Sequence, residues 1–161
     1  MKRLLLSLFF ASSIANAAWI TNVEESIFGD NSAVLIGELK NTKSAIVFKC
    51  DSNDLSVSYV ELVDDSDIKS IPATFLMRVD SNQVVEFDTT LQRRNSDAID
   101  AKVTDREKIL SLLKQLSSAK QKVLAGISVD EVDYKQSFSG NVSGSTVAVN
   151  KFAKACNLNI K

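Results

Sequence analysis

The chain has 161 residues, with 19 basic and 20 acidic side chains, two cysteines, one tryptophan and no histidine. A net charge of −1 gives no reason to expect nucleic acid or an anionic membrane surface as partner. The missing imidazole removes Ser-His-Asp, Cys-His and most zinc chemistry in one step.

Residues 1–17 have the three parts of a secretory signal. Lys2 and Arg3 form a basic start, residues 4–14 an apolar run, and Ala15-Asn16-Ala17 a small-x-small cleavage site. The run is shorter than the about 20 apolar residues that a bilayer span requires. The alternative is an uncleaved N-terminal anchor. Cleavage before Ala18 predicts an exported chain, periplasmic or secreted, made of one domain over 18–161 with no remaining membrane span. Loss of Lys2 and Arg3 takes the basic count from 19 to 17 against 20 acidic residues, a net charge of −3. No Pro/Gly-rich linker divides the remainder, which is long enough for one core.

Along that domain, 19–27 is short and mixed, and Gly29-Asp30-Asn31-Ser32 is a turn signal. Residues 33–40 read as a strand. Asn41-Thr42-Lys43 is a tight connection, so 33–40 and 44–50 are expected to pair as an antiparallel hairpin. In Ser44-Ala45-Ile46-Val47-Phe48-Lys49-Cys50, Ile46, Phe48 and Cys50 share one face. After a second turn cluster, 55–63 alternates again, with Leu55, Val57 and Tyr59 on one side. Pro72 marks the start of a strand over 73–79, and 84–90 returns beside it after the turn Asp80-Ser81-Asn82-Gln83. Residues 91–102 continue as a more polar strand, interrupted by Arg93-Arg94-Asn95-Ser96.

Thr104-Asp105-Arg106-Glu107 reads as a capping box with Thr104 as the cap. Ile109, Leu112, Leu113 and Leu116 then form one apolar stripe of a helix. Residues 120–129 and 131–139 read as two further strands, with Gly126 marking a bulge. Gly140 to Gly144 is a flexible connection. Ser145 or Thr146 caps a last helix that carries Val149, Phe152, Ala153 and Cys156 on one face. The expected fold is α+β, mainly β: five or six short strands up to residue 102 and two more after the first helix, as an antiparallel β-sandwich or curled sheet, with two packed helices and one disulfide.

Two cysteines in an exported chain pair most simply with each other, Cys50 to Cys156. Closing a loop of about a hundred residues restricts the unfolded chain by roughly 4–5 kcal/mol on the loop-entropy account. The alternative is two free, buried thiols. A thioredoxin-like redox role needs C-x-x-C, which is absent.

Candidate functional side chains are few. No G-x-S-x-G, S-x-x-K, P-loop or G-x-G-x-x-G motif occurs. A two-carboxylate glycosidase has no sequence signature, but one Trp and two Tyr are a poor supply of rings for stacking sugars. Asp64, Asp65 and Asp67 form an acidic loop without the glycine and distal glutamate of a calcium site, and a solvated turn is favoured over a metal site. Arg78, Arg93 and Arg94 read as the one basic cluster worth naming, as an anion or partner contact. Cross-strand pairs with Glu86 or Asp88 are the plainer reading. Neither a catalytic residue nor a cofactor is expected.

Trp19 at the mature start, Ser26-Ile27-Phe28-Gly29-Asp30, the strand 45–50 ending in Cys50, Phe75-Leu76-Met77-Arg78-Val79-Asp80, the apolar-striped helix, Phe138-Ser139-Gly140 and Ala153-Lys154-Ala155-Cys156 follow one another in a telling order. In that order the chain resembles small exported bacterial proteins associated with type VI secretion, the VasI/TagO-type family. It is also similar to the invasion-associated locus B group. The resemblance implies a periplasmic β-sandwich-like domain with helices, an accessory or binding role, and no catalytic residues.

The leading expectation is therefore a non-enzymatic accessory or binding domain of the bacterial envelope, with another envelope or secreted protein as partner. An alternative from a different class is an inhibitor of a hydrolase such as lysozyme, with Asp64, Asp65 and Asp67 as its inserted loop. A small-molecule or lipid carrier is a third, and it requires an open apolar cavity.

Overall fold

The computed structural model describes residues 18–28, 31–40, 43–51, 54–64 and 69–160. The signal-like segment, Gly29, Asp30, Asn41, Thr42, Asp65 and Asp67 lie outside the described residues. Nine strands form among the described residues, most of them alternating between a buried apolar face and a more exposed one. They are β1 (Trp19–Glu24), β2 (Ser32–Glu38), β3 (Ser44–Cys50), β4 (Leu55–Leu62), β5 (Ile71–Val79), β6 (Val85–Asn95), β7 (Ala98–Val103), β8 (Lys122–Val129) and β9 (Tyr134–Asn141). Helix α1 (Arg106–Ser117) joins β7 to β8, and α2 (Ser145–Ala155) follows β9.

All nine strands belong to one antiparallel sheet, in the order β1-β2-β3-β4-β7-β6-β5-β8-β9. The sheet rolls far enough for its far side to return. Leu39, just past β2, bridges to Gly140 of β9, and the Lys40 amide donates to the Ser139 carbonyl at 2.9 Å. The result is a curled half-barrel rather than a two-sheet sandwich, the second of the two expected arrangements.

The helices pack on each other and on the inner face. The expected stripe of α1, Ile109, Leu112, Leu113 and Leu116, is fully buried. On α2, Val149, Phe152 and Ala153 are buried, and the Phe152 ring meets Phe48 edge-on. Cys50 and Cys156 form the expected disulfide across 106 residues, with Cα atoms 6.1 Å apart. Cys50 is buried on the Ile46/Phe48 face, and Cys156 sits half-buried at the C-cap of α2. A disulfide fits an oxidising compartment.

Several local expectations change. Among the described residues the count rises to nine strands because 19–24 pairs with β2; residues 91–95 extend β6, and 98–103 form the separate strand β7. The polar run that interrupts the pattern is the turn between them. Arg93 Nη1 donates to the carbonyls of Asn95 and Ser96 at 2.8 and 2.9 Å, and the Asp97 amide donates to Asn95 Oδ1 at 2.9 Å. Pro72 lies inside β5, not before it, at a point the β8 ladder has not yet reached; that ladder begins at Thr74.

Gly126 makes no bulge, since its ladders to Leu76 and Ser137 run through in register. Gly140 and Asn141 complete β9. The cap of α1 is Asp105, whose Oδ1 accepts from the Lys108 amide at 3.1 Å, not Thr104. Gly144, at φ 80°, precedes α2, because the left-handed conformation there favours glycine. Ser145, expected as a cap, is buried and donates instead to the Leu116 carbonyl at 2.9 Å, joining α2 to the end of α1.

Candidate functional site

The inner face of the roll is filled by helices and aromatic rings over most of its length, but one end is open. There β4 finishes, β5 begins, β8 finishes in a short 3-10 turn over Asp130–Val132, and β9 begins. Alternation puts Ile71, Leu91, Ile99 and Val129 on the inner face at this end, and Val63 and Val132 extend the wall. Together with Glu61, Lys69, Glu131 and Tyr134 they line a cavity of about 650 Å³. That volume lies within the range of about 300–1,000 Å³ usual for small-molecule sites. We refer to it as the mouth.

The polar floor of the mouth is a hydrogen-bonded chain. The Tyr59 hydroxyl, wholly buried, donates to Glu61 Oε2 at 2.8 Å and lies 2.9 Å from Ser44 Oγ. Because the phenol's one proton goes to Glu61, Ser44 is the donor to Tyr59. Burial pushes the Tyr59 phenol well above its ordinary range; the Ser44 hydrogen bond opposes this and the Glu61 bond and charge add to it. Tyr134, on the opposite wall, is pushed up by burial and by the same Glu61 charge. Both hydroxyls therefore stay protonated at neutral pH, and that of Tyr59 serves as a hydrogen-bond donor to Glu61 rather than as a base or nucleophile.

A second concavity, about 670 Å³, lies on the outer face of β5, β8 and β9. Arg78, Lys135, Glu86 and Asp130 contribute two positive and two negative charges to its wall, and Gly126 forms part of its floor. Arg78 has a buried Nε without a hydrogen-bond partner, and no carboxylate pairs with it among the described residues.

The structure separates the residues singled out in the sequence. Arg78 lies near the end of β5 that pairs with the start of β6, whereas Arg93 and Arg94 lie at the far end of β6. The three do not form a cluster. The expected partners Glu86 and Asp88 are not used either: Arg94 pairs with the buried Asp100 at 3.3 Å, and Arg93 caps carbonyls. Asp64 is 97% exposed and pairs with Lys43 at 3.5 Å. No group of three metal-binding side chains occurs among the described residues. No helix among them is long and apolar enough to cross a membrane.

The mouth residues were not singled out by sequence. One signal was present: Glu61 falls two positions after Tyr59 in the alternation Leu55, Val57, Tyr59, so a carboxylate occupies an inward position. No protein family, curated protein or solved structure matches this chain.

Proposed function

We propose that this chain is a non-enzymatic binding domain of the bacterial envelope and that the mouth is its recognition site. The observation that supports it most is the open apolar cavity whose floor carries a carboxylate held by a buried tyrosine. A mostly apolar wall with a few convergent polar groups is how ligand sites are built. The polar groups present bind and orient; both nearby phenols are held protonated, and both cysteines are consumed in the disulfide. Envelope residence rests on the signal-like segment 1–17 and on the disulfide. In line with the resemblance to exported secretion-associated proteins, the setting we propose is beside a secretion apparatus.

The test is native mass spectrometry of the protein isolated from the periplasm, beside a Val132→Trp variant. Val132 is 64% exposed at the rim, so an indole there blocks the mouth without entering the core. A bound mass on the wild-type chain that is absent from Val132→Trp supports the reading. Bare protein in both preparations counts against it.

A further inference from the structure

We propose that the mouth receives a small amphipathic cation, an ammonium or guanidinium group carried on an apolar body. This rests on the mouth being the binding site and adds the chemistry of its occupant.

Three observations carry it. First, Glu61 is partly desolvated at the floor of an apolar cavity, yet no lysine or arginine pairs with it among the described residues. Lys69 lines the same cavity without reaching ion-pair distance of Glu61. A carboxylate drawn out of water is stabilised by a counter-charge, and an arriving cation supplies one.

Second, the carboxylate is aimed. The relay from Ser44 through Tyr59 to Glu61 Oε2 uses the single hydroxyl proton of Tyr59 and fixes one oxygen. It supplies no positive charge. The second oxygen is left for an outside donor, and a charge-assisted hydrogen bond there is about twice as strong as a neutral one. The Tyr134 ring lines the same cavity and offers an aromatic surface, to which cations are attracted.

Third, the wall has the complementary balance. Two acidic side chains, Glu61 and Glu131, stand against one basic side chain, Lys69, and the rest of the lining is aliphatic apart from Ser70 and the Tyr134 ring. An apolar anion meets net repulsion there, and a neutral apolar molecule leaves the carboxylate without a counter-charge. The outer concavity, with two charges of each sign, has no such bias.

The experiment is calorimetric titration of the mature, disulfide-bonded chain with decylamine, decanol and decanoate, each below its micellar concentration. Decylamine is expected to bind at least about tenfold more tightly than decanol, with decanoate weakest. Glu61→Gln, which keeps an oxygen to accept from Tyr59, is expected to abolish the preference, so that decylamine binds no more tightly than decanol. If the three probes bind alike, or if Glu61→Gln leaves decylamine binding intact while Val132→Trp abolishes it, the mouth is a binding site but the cation inference is overturned. If no probe binds the wild-type chain, or if Val132→Trp binds them all as the wild type does, the mouth reading falls and the inference falls with it.

Discussion

The indole of Trp19 occupies the space that a side chain on Gly37 would need. The two residues face each other in the β1–β2 ladder, and the ring reaches on to donate from Nε1 to the Asn141 carbonyl at 2.8 Å. Gly37 is thus the seat on which the single tryptophan lies while it joins β1 to β9. Gly37→Ala is expected to cost roughly 1–3 kcal/mol by overpacking. In a Trp19→Ala background the same change is expected to cost far less, because the obstruction is gone. A double-mutant cycle from urea unfolding measures the coupling; additive losses would show that the contact is not the reason for the glycine.

The disulfide makes a second prediction. Cys50→Ser and Cys156→Ser each remove the same cross-link and are expected to lose roughly 2–5 kcal/mol. Burial separates them. Cys50 lies in the core and Cys156 at a helix end, so a hydroxyl at position 50 adds a further loss of about 1–3 kcal/mol. Equal losses in thermal unfolding would show that position 50 tolerates a polar group.

Asp80, in the left-handed region at φ 51°, ties two distant turns together. Its carboxylate accepts from the amides of Lys120, Gln121 and Lys122 at 2.8, 2.8 and 3.0 Å. Slight burial pushes its proton affinity up, but the three amides and the Lys120 charge outweigh that and hold it below the ordinary value of 3.8. A depressed folded value means that this stabilisation is complete above the unfolded value and is lost as pH falls through the folded one. Asp80→Asn retains an acceptor and tolerance of the left-handed backbone. It is expected to lower the urea midpoint at neutral pH, with the gap to the wild type narrowing below pH 3.8. A gap that is constant with pH would rule out the carboxylate charge as its cause.

The two tyrosines predict behaviour in alkali. Both phenols are raised above the ordinary 10.0, most strongly at Tyr59. The stabilisation from keeping Tyr59 protonated and buried is therefore full below that pH and lost as pH rises through the higher folded value. Phenolate absorbance is expected to lag behind free tyrosine and to appear together with unfolding. Ordinary titration of both rings near pH 10 in a folded chain would refute the buried Tyr59–Glu61 bond.

At the start of α1, Asp105→Ala is expected to cost about 1 kcal/mol and Thr104→Ala close to nothing. The reverse order would restore the capping box suggested by the sequence.

Local pattern carried much of this architecture. The stripe Ile109, Leu112, Leu113 and Leu116, the β2–β3 hairpin and the inward phase of Cys50 all follow from side-chain periodicity, which is a property of neighbouring residues. The closure does not follow from it. The pairs Val57–Val103, Phe75–Ile127 and Leu39–Gly140 join residues far apart, and periodicity says which way a strand faces but not which strand lies beside it. The mouth was hidden for the same reason. Glu61 and Tyr134 belong to strands that no local pattern connects, and only the roll of the sheet brings them to one cavity. Arg78, Arg93 and Arg94 looked like a group because two are consecutive and all are basic, yet the β5–β6 register sends them to opposite ends.

The clasp between β1 and α2 has a consequence for the order in which the molecule is completed. Ala18 and Trp19 donate their amides to the Ser143 carbonyl, Thr21 Oγ1 bonds the Ala148 carbonyl and Lys151 bonds Thr21, at separations of up to 130 residues. The first strand thus has its outer contacts completed only when the last helix arrives, and the native disulfide also needs the end of that helix. Such long-range closure is slow. For the export proposed above, that delay would keep the chain pliable in transit and let it lock only once its final turn of helix has emerged.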